Sequence, residues 1–266
     1  MNLFRLSRKK DLSSLLAEAI RSPECQNALR DVICEVMRSP DIWNLHVRAG
    51  RHIWGEIQTD TAGVMRLESS KRSAEYVRAN IPLHFQKTAL ALRADALRDA
   101  PADGLFLEFG VWKAYWINEC AKVRPDVTFY GFDSFRGLKE PWEFLDKGAF
   151  DLGGELPPVE KNVRLVAGWF DETVGPFLAE HPEPVSFVHI DCDTYESTKV
   201  VMDALASRLR PGSRLVLDDA FVAPNWEKAE FAAVMEGLQS RGIKFDWTGW
   251  CGQTPGCSAS LIVTAV

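Results

Sequence analysis

Long apolar runs are missing from this chain: no stretch approaches the roughly 20 residues that a membrane-spanning helix requires, and no membrane partner is expected. Cysteines are scarce, and none of Cys25, Cys34, Cys120, Cys192, Cys251 and Cys257 forms a C-x-x-C pair. That excludes a disulfide scaffold and leaves buried or idle thiols, although Cys251 and Cys257 can meet across a loop. The five histidines (His46, His52, His84, His181, His189) form no H-E-x-x-H or similar cluster, which disfavours zinc. Positive charge is in deficit, with 31 Lys and Arg against 37 Asp and Glu, so a general phosphate-binding surface and a nucleic-acid partner are not expected. The stretch Met1 to Asp11 is basic but lacks the apolar core and small-residue cleavage site of a signal peptide, which points to the cytoplasm. Internal repeats and low-complexity segments are absent as well.

What is present has the balance of a soluble globular protein, 46% apolar and 26% charged, with a length that suits one domain plus an appendage. Residues 1–100 read as a helical N-terminal cap segment. Leu12, Leu15, Leu16 and Ile20, then Leu29, Val32, Ile33, Val36 and Met37, recur three and four apart, with interruptions expected at Pro40, Gly50 and Gly63. A second helical region spans Ala74–Leu97, broken or kinked at Pro82. From residue 101 to 266 short apolar runs alternate with helical ones. Strands are predicted at Leu105–Phe109, Val127–Phe132, Val163–Ala167, Ser186–Ile190 and Arg214–Leu217, with helices over Lys113–Val123 and Glu196–Leu209. Lys244–Trp250 and Leu261–Val266, separated by a Gly/Pro-rich turn, read as a terminal antiparallel hairpin at the sheet edge. Five parallel strands plus that hairpin make an open α/β sheet, whose ligands bind at the carboxyl ends of the strands.

All five of those ends carry polar or aromatic groups suited to a ligand. The first runs Glu108-Phe109-Gly110-Val111-Trp112-Lys113-Ala114. It is close to the E-x-G-x-x-x-G turn that holds S-adenosylmethionine, with Ala114 in place of the last glycine, and is also readable as a plain strand-to-helix turn. The second ends at Asp133, followed by Ser134, one helix and one strand beyond Gly110. A carboxylate there either accepts the hydroxyls of a ribose or caps a helix. After the third strand, Trp169 and Phe170 either wall an adenine ring or belong to the core. The fourth and fifth strands end His189-Ile190-Asp191-Cys192-Asp193 and Leu217-Asp218-Asp219. Adjacent parallel strands finish side by side, so these carboxylates converge and repel unless a cation neutralises them. Oxygen-only ligands suit Mg²⁺, with Asp191, Asp218 and Asp219 as its ligands. Asp193, three residues before Glu196, reads mainly as a helix cap. His189 reads as a core histidine, with a catalytic base as the alternative.

Taken in order from about Gly104 to Phe221, the segments LEFGVWKAYWINECA, FYGFDSF-RGLKEPW, GWFDETV, HIDCDTYESTKVVMDAL and RPGSRLVLDD resemble the macrocin O-methyltransferase (TylF/MycF-like) family. The resemblance implies a Rossmann-like class I methyltransferase sheet over 101–266. It also implies S-adenosylmethionine as cofactor, and Mg²⁺ held by aspartates in the metal-dependent members. The reaction implied is methylation of a small-molecule hydroxyl, such as one on a sugar of a glycosylated natural product. Carried over by motif, Glu108 and Gly110 border the methionine portion, Asp133 (with Ser134) the ribose, and Trp169 and Phe170 the adenine. Asp191, Asp218 and Asp219 hold the metal. Asp191, with His189 in reserve, accepts the hydroxyl proton.

Two rivals are a haloacid-dehalogenase-like phosphohydrolase, whose D-x-D-x-T opening Asp191-Cys192-Asp193-Thr194 resembles in part, and a S-adenosylmethionine-binding protein without catalysis. Trp54, Trp142, Phe144, Phe150 and Trp226 are candidate acceptor-wall aromatics or packing residues, and Lys139–Pro158 is long enough for a lid. Self-association through the helical N-terminal part is a further expectation.

Overall fold

The structure, a computed structural model, describes residues 61–81, 88–142, 145–221, 225–252 and 257–266. The helical spacing over 12–37 and the aromatics Trp54 and Phe144 lie outside the described residues. The chain divides into two compact units, Met1–Val64 and Met65–Val266, and the sheet belongs to the second.

Helix α1 (Thr61–Asn80) passes through Gly63, where an interruption was expected. One glycine costs a helix only about 1 kcal/mol, too little to end one of this length. The break falls just before Pro82 as anticipated. Helix α2 (Ala89–Arg98) opens on Thr88, whose hydroxyl accepts from the Ala91 amide at 3.1 Å. Although it lies in the sequence before residue 100, α2 packs against the sheet strands of the second unit.

Strands β1 (Leu105–Phe109), β2 (Phe129–Asp133), β3 (Val163–Ala167), β4 (Val185–Ile190) and β5 (Leu209–Leu217) pair in parallel. Strands β6 (Lys244–Cys251) and β7 (Ser258–Ala265) form the antiparallel hairpin. The order is β3-β2-β1-β4-β5-β7-β6, so the hairpin attaches through its second arm, which lies antiparallel to β5. The Rossmann-like sheet expected from sequence is therefore present, with every proposed strand in place. Helices α3 (Tyr115–Val123) and α5 (Tyr195–Leu205) match the expected segments, while α4 (Phe170–Glu180) and α6 (Glu230–Ser240) were not singled out.

Two apolar clusters sandwich the sheet. Residues from α1, α4, α5 and α6 pack with Leu105, Leu107 and Phe109 on one face. Residues from α2 and α3 pack with Phe106, Phe129 and Phe187 on the other. All of β1 and β4 is buried, as central parallel strands must be. Because side chains alternate along a strand, Glu108 and His189, register partners across β1 and β4, point to the α2/α3 face with Phe106 and Phe187. That alternation decides what these two residues can do.

Candidate active site

The β1–α3 turn is built on Asp133. Its Oδ2 accepts the amides of Val111 at 2.8 Å and Trp112 at 2.7 Å, and its Oδ1 accepts the Phe135 amide at 2.7 Å. A carboxylate offers about four lone-pair sites, so about one remains for a ligand. A bidentate grip on a ribose diol is more than this carboxylate can supply, and its main work is to hold the turn. Trp112 and Ala114 take left-handed φ values of 45° and 61° there. Each costs about 1–2 kcal/mol for a residue with a Cβ, which the bonds to Asp133 offset at Trp112. Gly110 is required for a different reason from ligand access. With φ at 88°, a Cβ would fall on the main-chain carbonyl of Asp191, so the β1 and β4 tips pack backbone to backbone.

That turn forms one wall of a cavity of about 530 Å³ at the carboxyl ends of the strands. Of the residues singled out in the sequence, Gly110, Asp133, Ser134, Trp169, Phe170 and Asp191 line it, and Glu108, His189, Asp218 and Asp219 do not. The volume lies in the range of small-molecule and cofactor pockets. The Trp169 ring stands under the Lys139 ammonium at 5.3 Å, and Lys139 donates to Asp171 Oδ2 at 2.9 Å, tying the β2–β3 connection to the first turn of α4. Phe170 is shared with the core, edge-on to Phe109 at 5.5 Å. Of the loose aromatics, Trp226 packs in the core against Tyr76 and Phe231, whereas Phe150 lines the cavity, edge-on to Trp112 at 5.5 Å.

The acidic cluster forms at the β4 and β5 tips, with a changed membership. Asp191, Asp193 and Asp219 each offer an oxygen within 4.8 Å of the others. Asp193 is no helix cap: Thr194 caps α5 by accepting the Ser197 amide at 3.2 Å, and a left-handed φ of 60° at Asp193 accompanies its place in the cluster. Burial, and then the neighbouring carboxylates, push the Asp191 and Asp193 carboxyls well above their ordinary range. Three crowded oxygen donors of this kind fit a hard divalent cation, which would leave octahedral positions for water or substrate oxygens. Asp218 stands beside them with Oδ1 engaged: Arg93 donates to it, and Ser258 donates at 3.0 Å.

Behind the cluster lies a buried polar chain. Arg93, wholly buried on α2, donates through Nε and Nη2 to His189 Nε2 at 3.2 and 2.8 Å, and its guanidinium stacks 3.9 Å from the centre of the Trp116 ring. A guanidinium can only donate, so Nε2 is the acceptor and the His189 proton sits on Nδ1, donated to Glu108 Oε2 at 3.1 Å. Both ring nitrogens are spoken for and the ring is inaccessible, so His189 is a core residue and not a base. Glu108, equally buried, serves His189 and does not border the cavity. For Asp218, burial raises the carboxyl, but the Arg93 charge and the Ser258 hydroxyl against it bring it below the usual range.

Sequence reasoning missed Glu230, the first residue of α6. It is fully buried, and its two oxygens accept the amides of Cys192 at 3.2 Å and Asp219 at 3.3 Å. Burial, and then Asp219 and Asp218, raise its carboxyl well above normal. An acid in a first helical turn reads as dipole compensation, so nothing in the sequence marks it.

Residues 107–220 match a family described as a methyltransferase domain. Mycinamicin III 3''-O-methyltransferase of Micromonospora griseorubida is 28% identical over 183 residues, which is 58% of this chain and 69% of that protein. Among solved structures, the calicheamicin methyltransferase CalS11 aligns with 96% of this chain and 99% of its own at 21% identity and a TM-score of 0.49. The O-methyltransferase NovP aligns with 66% of this chain and 79% of its own at 19% identity and the same TM-score.

Proposed function

We propose that this S-adenosylmethionine-dependent O-methyltransferase is of the macrocin O-methyltransferase (TylF/MycF-like) kind and methylates a sugar hydroxyl with the help of a divalent cation. The observation that carries this is a shared wall. Asp191 and Asp193 line the 530 Å³ cavity and also belong, with Asp219, to the carboxylate cluster. A methyl donor in the cavity and a cation on the cluster are thereby neighbours. The sugar acceptor draws its support from the mycinamicin relative, whose name specifies a 3''-O-methyl transfer.

When bound, S-adenosylmethionine supplies a methyl group on a sulfonium, and Mg²⁺ supplies charge stabilisation for an alkoxide. Asp133 holds the Gly110–Trp112 turn as the wall for the nucleoside, with one acceptor site left for a ribose hydroxyl, and the Trp169 ring covers a flat base. Asp191, Asp193 and Asp219 hold the cation, and Asp218, fixed through Oδ1, stands next to them. Asp191, which lines the cavity, would take the hydroxyl proton. Fixing donor and acceptor in line contributes up to about 7–11 kcal/mol relative to free encounter.

A phosphohydrolase reading leaves the Asp133-held turn without a role and has only α5 between the two acidic tips, where that fold needs further strands. The deciding experiment incubates the chain with S-adenosylmethionine, Mg²⁺ and a panel of glycosides bearing vicinal diols, and follows S-adenosylhomocysteine release. Turnover that EDTA abolishes and Mg²⁺ restores is expected, with Asp219→Asn strongly impaired. Turnover indifferent to EDTA would remove the cation. Tight S-adenosylhomocysteine binding without turnover on any acceptor would favour the inactive binder.

A further inference from the structure

The parallel ladder between β4 and β5 ends one residue short of the acidic cluster. Its last rung is the Asp218 amide donating to the Ile190 carbonyl at 2.9 Å. The next amide on the β4 side, that of Asp191, turns to β1 and donates to Phe109 at 2.9 Å. Beyond that point the two tips are joined by a side chain. One oxygen of Glu230 accepts the Cys192 amide, from the residue between Asp191 and Asp193, and the other accepts the amide of Asp219 itself. An acid at a helix start ordinarily serves its own helix. Here the cap residue Ala229 makes no side-chain capping bond, and both Glu230 oxygens reach to strand tips, with no part of the side chain exposed to water. Burying a carboxylate beside other carboxylates is unfavourable, and this one is retained where it sets the separation of two tips.

We propose that Glu230 is a positioning residue that clamps the β4 and β5 tips and so fixes the spacing of Asp191, Asp193 and Asp219 for a divalent cation. The inference rests on the cation site described above. Partners that orient metal-binding side chains typically contribute 10–100-fold to affinity. Glu230 acts on the ligands through their main chain, and its partner Cys192 meets the cavity only at the β4 tip, away from the Asp133-held turn and Trp169, so cofactor binding in metal-free buffer depends on it far less than cation binding does.

The test compares the intact chain with Glu230→Ala and Glu230→Gln. Mg²⁺ affinity is measured by displacement of Tb³⁺ luminescence, S-adenosylhomocysteine affinity by calorimetry in EDTA, and amide protection at Cys192 and Asp219 by hydrogen exchange. Glu230→Ala is expected to weaken Mg²⁺ about 10–100-fold, with S-adenosylhomocysteine affinity held within about twofold, and to deprotect both amides. Glu230→Gln, which keeps one acceptor, falls between and decides the matter if the alanine variant does not fold. Unchanged Mg²⁺ affinity, or a parallel loss of cation and cofactor binding, overturns the positioning role. If the unmodified chain itself binds no Mg²⁺, the cation reading fails first. The clamp is then judged on exchange alone: deprotection of the two amides sustains it as a tip clamp, and unaltered protection removes it.

Discussion

Replacing Asp133 with alanine removes the acceptor of three main-chain amides at once, those of Val111, Trp112 and Phe135. Hydrogen bonds to a charged group contribute about 1.5–3 kcal/mol each. Trp112 is exposed, so its amide recovers water and that bond counts at the low end. Val111 and Phe135 are buried, and their amides are stranded. The sum is a loss of about 4.5–7.5 kcal/mol, before any relief as Trp112 leaves its left-handed conformation. For a unit of this size each kcal/mol shifts the melting temperature by about 2–4 °C, so a fall of roughly 9–30 °C is expected in thermal denaturation. The same turn walls the cavity, and S-adenosylhomocysteine affinity by calorimetry should drop more than tenfold. Asp133→Asn, which keeps one acceptor oxygen, should lie between. A melting temperature within about 1 °C of the parent would mean that the three bonds are not made. A large thermal shift with unaltered cofactor affinity would mean that the turn is not part of the cofactor site.

Arg93→Met leaves the part-buried Asp218 without its guanidinium partner, which costs up to about 3 kcal/mol, the lower end for a fully buried pair; urea denaturation should show this, and adding Asp218→Asn should restore part of it. Equal stability of the single and double variants would disprove the pairing. Asp191, Asp193 and Glu230 have raised carboxyls in the folded chain, so the folded state holds more protons than the unfolded one above the ordinary carboxylate range near pH 4. Stability of the metal-free chain must therefore fall as pH rises from about 4 through those raised values, by about 1.4 kcal/mol per pH unit for each extra proton held. Asp218, lowered, adds stability that is present above about pH 4 and is lost as pH falls through its own value. Melting curves from pH 5 to 8 should slope downward without metal and flatten with Mg²⁺; a flat metal-free profile would contradict the crowding.

The sheet was legible because fully buried parallel strands leave short, mainly apolar runs, interrupted in β1 by Glu108 and in β4 by Ser186 and His189. Helix α4 was not, because Pro176 lies inside it and Trp169-Phe170 at its start reads as a binding wall. At the site, strand-end position alone brought Gly110, Asp133, Trp169 and Asp191 to one cavity. It failed where the answer depended on a partner distant in sequence. Asp218 is engaged by Arg93, 125 residues away on a helix across the sheet. Glu108 looks like a rim residue until strand alternation turns it inward, beside the core histidine His189 that accepts from that same guanidinium. Asp193 reads as the cap because Glu196 stands three residues on, but the adjacent Thr194 hydroxyl takes that place with the Ser197 amide.

The central claim is adjacency of methyl donor and cation at Asp191, and paramagnetic relaxation measures it directly. With Mn²⁺ in place of Mg²⁺ and S-adenosylhomocysteine bound, the protons flanking the sulfur should relax far faster than those of the adenine ring, and Asp219→Asn should remove the effect at the same Mn²⁺ concentration. Cofactor protons that relax alike with and without Mn²⁺, while both ligands are bound, would place the two sites apart and contradict the account.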